Sequence, residues 1–102
     1  MESNKEIIDI LRKVIDPELR HNIVDLGLVY NVDVNQETNS VKILMTFTTP
    51  LCPYGDILIE DVKERLEDEG YKPEVEITFK PLWSIDKMSP EIKEEFLLPI
   101  DI

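Results

Sequence analysis

The sequence has one cysteine, one histidine, three glycines and no alanine among its 102 residues. A lone cysteine cannot close an internal disulfide, nor can it alone build the Cys-rich cage of a zinc or iron–sulfur centre. Basic residues are also scarce: 11 lysines and arginines stand against 22 acids, a formal net charge of -11. Such a chain repels phosphate backbones, and the sequence shows no basic patch, so nucleic acid is not an expected partner. Long apolar runs are missing too. Nothing approaches the ~20 residues of a membrane-spanning helix. The opening Met1-Glu2-Ser3-Asn4-Lys5-Glu6 has neither the basic flank nor the apolar stretch of a signal peptide. A cytoplasmic protein without a membrane partner is therefore expected.

What is present suffices for a core. With 42% hydrophobic and 32% charged residues the chain reads as globular, and its length fits one domain over residues 1–102. Ser3 and Glu6 have capping-box spacing, and Ile7, Ile8, Leu11, Val14 and Ile15 follow at helical intervals, which predicts a helix over 4–15. Pro17 stops it, and Asp16-Pro17-Glu18 has the form of a short turn with an Asp cap. Asp25-Leu26-Gly27 is expected to turn the chain into a first strand. Residues 28–34 alternate, with Leu28, Tyr30, Val32 and Val34 on one face. Residues 41–48 alternate through Val41, Ile43, Met45 and Phe47, after a loop of hairpin length.

Residues 53–69 carry Leu58, Ile59, Val62 and Leu66 on one helical stripe, ended by Gly70. Val75, Ile77 and Phe79 form a third strand, and Ser89-Pro90-Glu91 opens a last helix. The expected class is α+β: an α-β-β-α-β-α two-layer domain with helices on one face of a small mixed three-stranded sheet. Between Asp56 and Glu69 lie seven acids and two bases, either a solvated face or a docking surface for a basic partner.

The chemistry concentrates in Thr48-Thr49-Pro50-Leu51-Cys52-Pro53, where a strand gives way to a helix. With Cys52 as N-cap and Pro53 in the first helical position, the thiol would face the positive end of the helix dipole, which lowers a thiol pKa. The other reading of Cys52 is a small buried hydrophobe. A redox pair is impossible without a second cysteine. A Cys–His hydrolase would have to use His21 as its base. Thiolate also suits iron–sulfur units, zinc and copper, but one Cys leaves most ligand positions to other donors, so transient handling fits better than storage. Asp16, Glu18 and Asp25 form a second cluster, in which Asp16 reads as a cap and Glu18 as a dipole partner. Trp83, the sole tryptophan, reads as a lid on the core.

Taken in order, Asp16-Pro17-Glu18-Leu19, Asn22 through Tyr30, Thr48 through Pro53, Pro81-Leu82-Trp83 and Met88-Ser89 resemble the metal–sulfur cluster assembly domain of the SufT and PaaD proteins, over roughly residues 7–97. Leu51 stands where a small residue is common in that family, and Lys80 where an acid is usual. The resemblance implies a compact α+β fold and a non-enzymatic role in iron–sulfur protein maturation, as a carrier or targeting adaptor. Cys52 then maps onto the reactive or cluster-handling thiol and transient metal ligand, with Asp16, Glu18, Thr49 and Trp83 in support. It also implies an iron–sulfur cluster held transiently rather than permanently. The implied partners are apo iron–sulfur proteins and assembly machinery, a scaffold or a P-loop carrier ATPase; a homodimer could share one cluster between two Cys52 thiolates. The alternative is a PaaD-like adaptor that helps assemble one metalloenzyme without binding a cluster.

Overall fold

The computed structural model describes residues 2–48 and 54–97. Its elements are α1 (Glu2–Leu11), β1 (Val29–Asn35), β2 (Ser40–Met45), α2 (Gly55–Asp68), β3 (Lys72–Ile77), a 3-10 turn (Ile85–Lys87) and α3 (Pro90–Leu97). This is the α-β-β-α-β-α order that periodicity predicts, with one short turn added before α3. The sheet order is β1-β2-β3. β1 pairs antiparallel with β2, and β2 pairs parallel with β3, so the three-stranded sheet is mixed. Parallel neighbours cannot be joined by a tight hairpin, and α2 supplies the crossover.

Alternation along β2 buries Val41, Ile43 and Met45 on one face. Onto them close Ile7, Leu11 and Val14 from the α1 region and Leu58, Val62 and Leu66 from α2, all essentially without solvent exposure. Each such aliphatic side chain contributes about 1.5–3 kcal/mol relative to exposure. Met88 and Ile92 bring the α3 end of the chain into the same cluster. The opposite face of the sheet is polar: Lys42 on β2 meets Glu76 of β3 at 3.1 Å and Glu74 at 4.0 Å. Glu76 above all, by hydrogen bond and by charge, holds the Lys42 ammonium above its ordinary pKa.

Three local expectations need correction. The first helix begins at Glu2 and ends at Leu11, so Ser3 is inside it rather than at its cap, and the Glu6 carboxylate instead accepts from the Tyr71 hydroxyl at 2.7 Å. Beyond Leu11 the turns tighten, with Lys13 and Val14 amides donating three residues back. The chain then straightens because residues 14–16 pair with 21–23: Ile23 N–H donates to the Val14 carbonyl and Asp16 N–H to the His21 carbonyl, around an isolated Ile15–Asn22 bridge.

Second, Tyr30 leaves the expected face of β1. The register shifts between Val29 and Asn31, a β-bulge with Tyr30 as the extra residue. Val29 therefore joins Val32 and Val34 against the core, while the Tyr30 hydroxyl donates to the Pro81 carbonyl at 2.8 Å.

Third, Cys52 is not the N-cap of α2. The first helical bond runs from Leu58 N–H to the Tyr54 carbonyl at 3.0 Å, and Tyr54 is the cap, without a side-chain bond. Cys52 stands two positions before that cap and lies outside the described residues.

Candidate functional site

Because β2 and β3 are parallel and in register at Met45 and Ile77, their carboxyl ends lie side by side. α2 begins at the same end: Phe47, just past β2, lies against Gly55, where an added Cβ would come within 2.9 Å of the Phe47 ring. Phe79, just past β3, tilts against Phe47 with ring centroids 6.3 Å apart. β1 runs the other way, so it starts where β2 ends, and the Thr46 amide donates to the Leu28 carbonyl at 2.8 Å. The carboxyl ends of strands beside a helix N-terminus are where α/β units place their ligands.

Thr49 and Cys52 belong to the connection between Thr48 and Tyr54, flanked by these groups, and lie outside the described residues. The described parts of the candidate site are thus the walls of that connection. Among the described residues no group of three or more His, Cys, Asp or Glu side chains could hold a metal ion.

Trp83 reaches the neighbouring segment. Its Nε1–H donates to the Leu26 carbonyl at 2.8 Å, and the ring packs against the core cluster while remaining half-buried. With the Tyr30–Pro81 bond, this fixes the loop after β3 to the stretch before β1; the Lys80–Pro81 peptide within it is cis. Gly27 permits that approach. Its φ of +77° and the Lys87 backbone, whose carbonyl carbon would lie 2.6 Å from a Cβ, leave room for no side chain.

Asp16 is buried, 2% exposed. One carboxylate oxygen accepts from the amides of Glu18 at 2.8 Å and Leu19 at 3.1 Å, the cap of a turn closed by Arg20 N–H donating to the Asp16 carbonyl. Glu18 is exposed on that turn. His21 Nε2 meets Glu95 of α3 at 2.8 Å, which engages the imidazole expected of a hydrolase base with a carboxylate on the last helix. The hydrogen bonds of Asp16 stay within residues 16–21, so they do not tie it to Trp83.

Sequence reasoning understated Asp25. Its carboxylate takes the Asn22 side-chain amide at 2.8 Å and the Arg12 guanidinium, its own amide donates to Asn22 Oδ1, and its carbonyl accepts from Ser89 N–H at the start of α3. The Asn22 hydrogen bond, with Arg12 added and burial opposing, holds this carboxyl below its usual range. The three-residue Asn22–Asp25 spacing was the available signal.

The iron–sulfur cluster assembly protein family model matches residues 4–78. The chain belongs to this family. The Fe-S protein maturation auxiliary factor of Porphyromonas gingivalis is 43% identical over 93 residues, covering 89% of this chain and 88% of that protein. The Fe-S protein maturation auxiliary factor YitW of Bacillus subtilis is 44% identical over 87 residues, 83% of this chain and 84% of that one. Among solved structures, the DUF59 domain from Bacillus anthracis superposes with a TM-score of 0.85 at 35% identity, covering 93% of this chain and 92% of that one. The assembly-family fold is thus the one built here, with three helices and a mixed three-stranded sheet, and no helix among the described residues is long and apolar enough to cross a membrane.

Proposed function

We propose that the protein serves iron–sulfur protein maturation in the cytoplasm as a carrier or targeting adaptor, with Cys52 as the thiol that handles the cluster during transfer. The supporting observation is membership of the iron–sulfur cluster assembly family over residues 4–78, a span that contains the chain's only cysteine. Two relatives aligned over most of both chains carry the name of Fe-S protein maturation auxiliary factor. Thiolate is the natural donor to iron–sulfur units. One thiolate fills one of the four usual ligand positions, so the cluster is cargo, and its remaining ligands come from a partner or from a second copy of the chain. Apo iron–sulfur proteins and assembly machinery are the partners this reading requires.

Asp16 serves by shaping its turn, since its carboxylate is already committed to two backbone amides. Trp83 holds the loop after β3, and Thr49 and Glu18 are proposed supports on the same family ground.

Anaerobic reconstitution with iron and sulfide, comparing the natural chain with Cys52→Ser, tests the thiol. Cluster absorption in the natural chain and its loss in the variant is the expected result. Equal absorption in both removes Cys52 as a ligand. Complementation of a deletion strain by Cys52→Ser would favour the adaptor that carries no cluster, a reading to which the 60% exposed Ile57 among the acids of α2 lends a docking surface.

A further inference from the structure

The groove between the start of β1 and the loop after β3 carries the opposite charge from the rest of the chain. It is a shallow, open groove of about 500 Å³ lined by Val29, Tyr30, Leu44, Lys80, Pro81 and Lys87. Among the described residues no acid lines it, in a chain with twice as many acids as bases. The groove along α2, by contrast, is walled by Asp56, Glu60, Asp61 and Glu64. Neither the Lys80 nor the Lys87 ammonium has a carboxylate partner among the described residues. Lys87 Nζ instead lies 5.2 Å from the centre of the Tyr30 ring, an arrangement that holds the charge over the groove.

The walls are fixed by bonds already described: Tyr30 to the Pro81 carbonyl, Trp83 to the Leu26 carbonyl, and the close passage of Lys87 over Gly27. Such a groove is preformed, which lowers the ordering cost of binding.

We infer that this groove docks an acidic, apolar-containing peptide segment of a partner protein, its carboxylates on Lys80 and Lys87 and an apolar side chain on Tyr30, Leu44 and Pro81. Charge complementarity selects the acids. The apolar lining, with Leu82 70% exposed in the adjoining loop, rewards a carbon-rich occupant and would be wasted on an inorganic anion. Nucleic acid and anionic membranes present dense negative charge, which the net -11 repels at longer range. The inference does not depend on what Cys52 does.

The test is a titration of isotope-labelled full-length protein, followed by amide chemical shifts. The probe is a short synthetic peptide of alternating glutamate and leucine, with a glutamate-to-lysine version and inorganic phosphate as comparisons. The acidic peptide is expected to shift amides of Val29, Tyr30, Leu44 and Lys87, and to bind less tightly as salt rises. The double variant Lys80→Gln with Lys87→Gln is expected to bind it about tenfold more weakly; unchanged shifts elsewhere in its spectrum certify the fold. Equal binding by the double variant, equal response to the lysine peptide, or an equal effect of phosphate alone overturns the proposal. So does a peptide response centred on α2. None of these outcomes bears on cluster reconstitution at Cys52, so the two readings fail separately.

Discussion

Replacing Gly27 by alanine should cost far more than the same change at Gly70, and the difference measures the contact that builds the site. Both glycines have positive φ, +77° and +90°. For alanine that backbone region costs about 1 kcal/mol at either position. Around Gly70 nothing lies within 4 Å of an added Cβ, whereas at Gly27 the Cβ would overlap the Lys87 carbonyl group and come within 2.7 Å of the Lys87 Cβ. Backbone atoms cannot swing aside as the end of a side chain can. Relieving the overlap must push the 85–88 turn off the stretch before β1, at about 1–3 kcal/mol of overpacking strain. Gly70→Ala should therefore lose about 1 kcal/mol, and Gly27→Ala about 2 kcal/mol more.

Urea unfolding followed by the fluorescence of Trp83, the only tryptophan, reads both variants with one probe. In thermal unfolding the extra loss would appear as a gap of roughly 8–16 °C between the two midpoints. Equal losses to within about 0.5 kcal/mol, near the error of the extrapolation, would refute the close approach of the loop and the 3-10 turn to Gly27. The groove wall built on that approach would go with it.

Substitutions at two further positions examine the 16–28 segment. Asp16→Ala removes the acceptor for the Glu18 and Leu19 amides and should cost about 1–2 kcal/mol, whereas Asp16→Asn keeps an acceptor oxygen and should recover most of that; denaturation midpoints decide, and equal costs would show that the cap is not what Asp16 supplies. Asp25 makes stability depend on pH. Its folded pKa is depressed, first by Asn22, so its contribution is fully present above the ordinary carboxylate pKa of about 3.9 and is lost as pH falls through the lower folded value. Asp25→Asn should be less stable than the natural chain at neutral pH and should lose less on acidification, seen as converging urea midpoints below about pH 4; a constant gap across that range would refute the assignment.

Elements fixed by neighbours in the chain were legible in the sequence, and those fixed by distant contacts were not. The stripe Leu58, Val62 and Leu66 reads directly as the buried face of α2, since a helix decides its own periodicity. The strand pattern of β2 did likewise. β1 was misread at one residue because a bulge answers to its partner strand: Tyr30 leaves the ladder while Val29 takes the core side opposite Met45. The overrun of α1 has a similar cause. Val14 and Ile15 have helical spacing, but their backbone pairs with residues 23 and 22, partners nine and seven residues on that hydrophobic spacing does not reveal. Cys52 was read as a cap from Pro53 alone, whereas α2 starts where Gly55 lets Phe47 sit against the helix. Of the site, Asp16 and Trp83 could be named from motifs; the bonds that give them their places, to residues 18–19 and to Leu26, belong to the folded chain.

The charge of this protein is distributed in a way that its net value conceals. Acids crowd α2, and on the uncovered face of the sheet Lys42 is shared between Glu74 and Glu76. At the end where β1 begins and β2 and β3 finish, the groove that carries Lys80 and Lys87 has no acid in its wall among the described residues. A partner with an acidic segment is repelled over most of the surface and attracted at that end. Rim charges set orientation and encounter rate more than final affinity. The connection between Thr48 and Tyr54 leaves β2 and enters α2 at the same end, so on the proposed reading a partner drawn to the groove arrives at the end of the domain where that connection runs. The short-lived transfer proposed above would need that combination, with orientation supplied by charge and release left easy by a small contact.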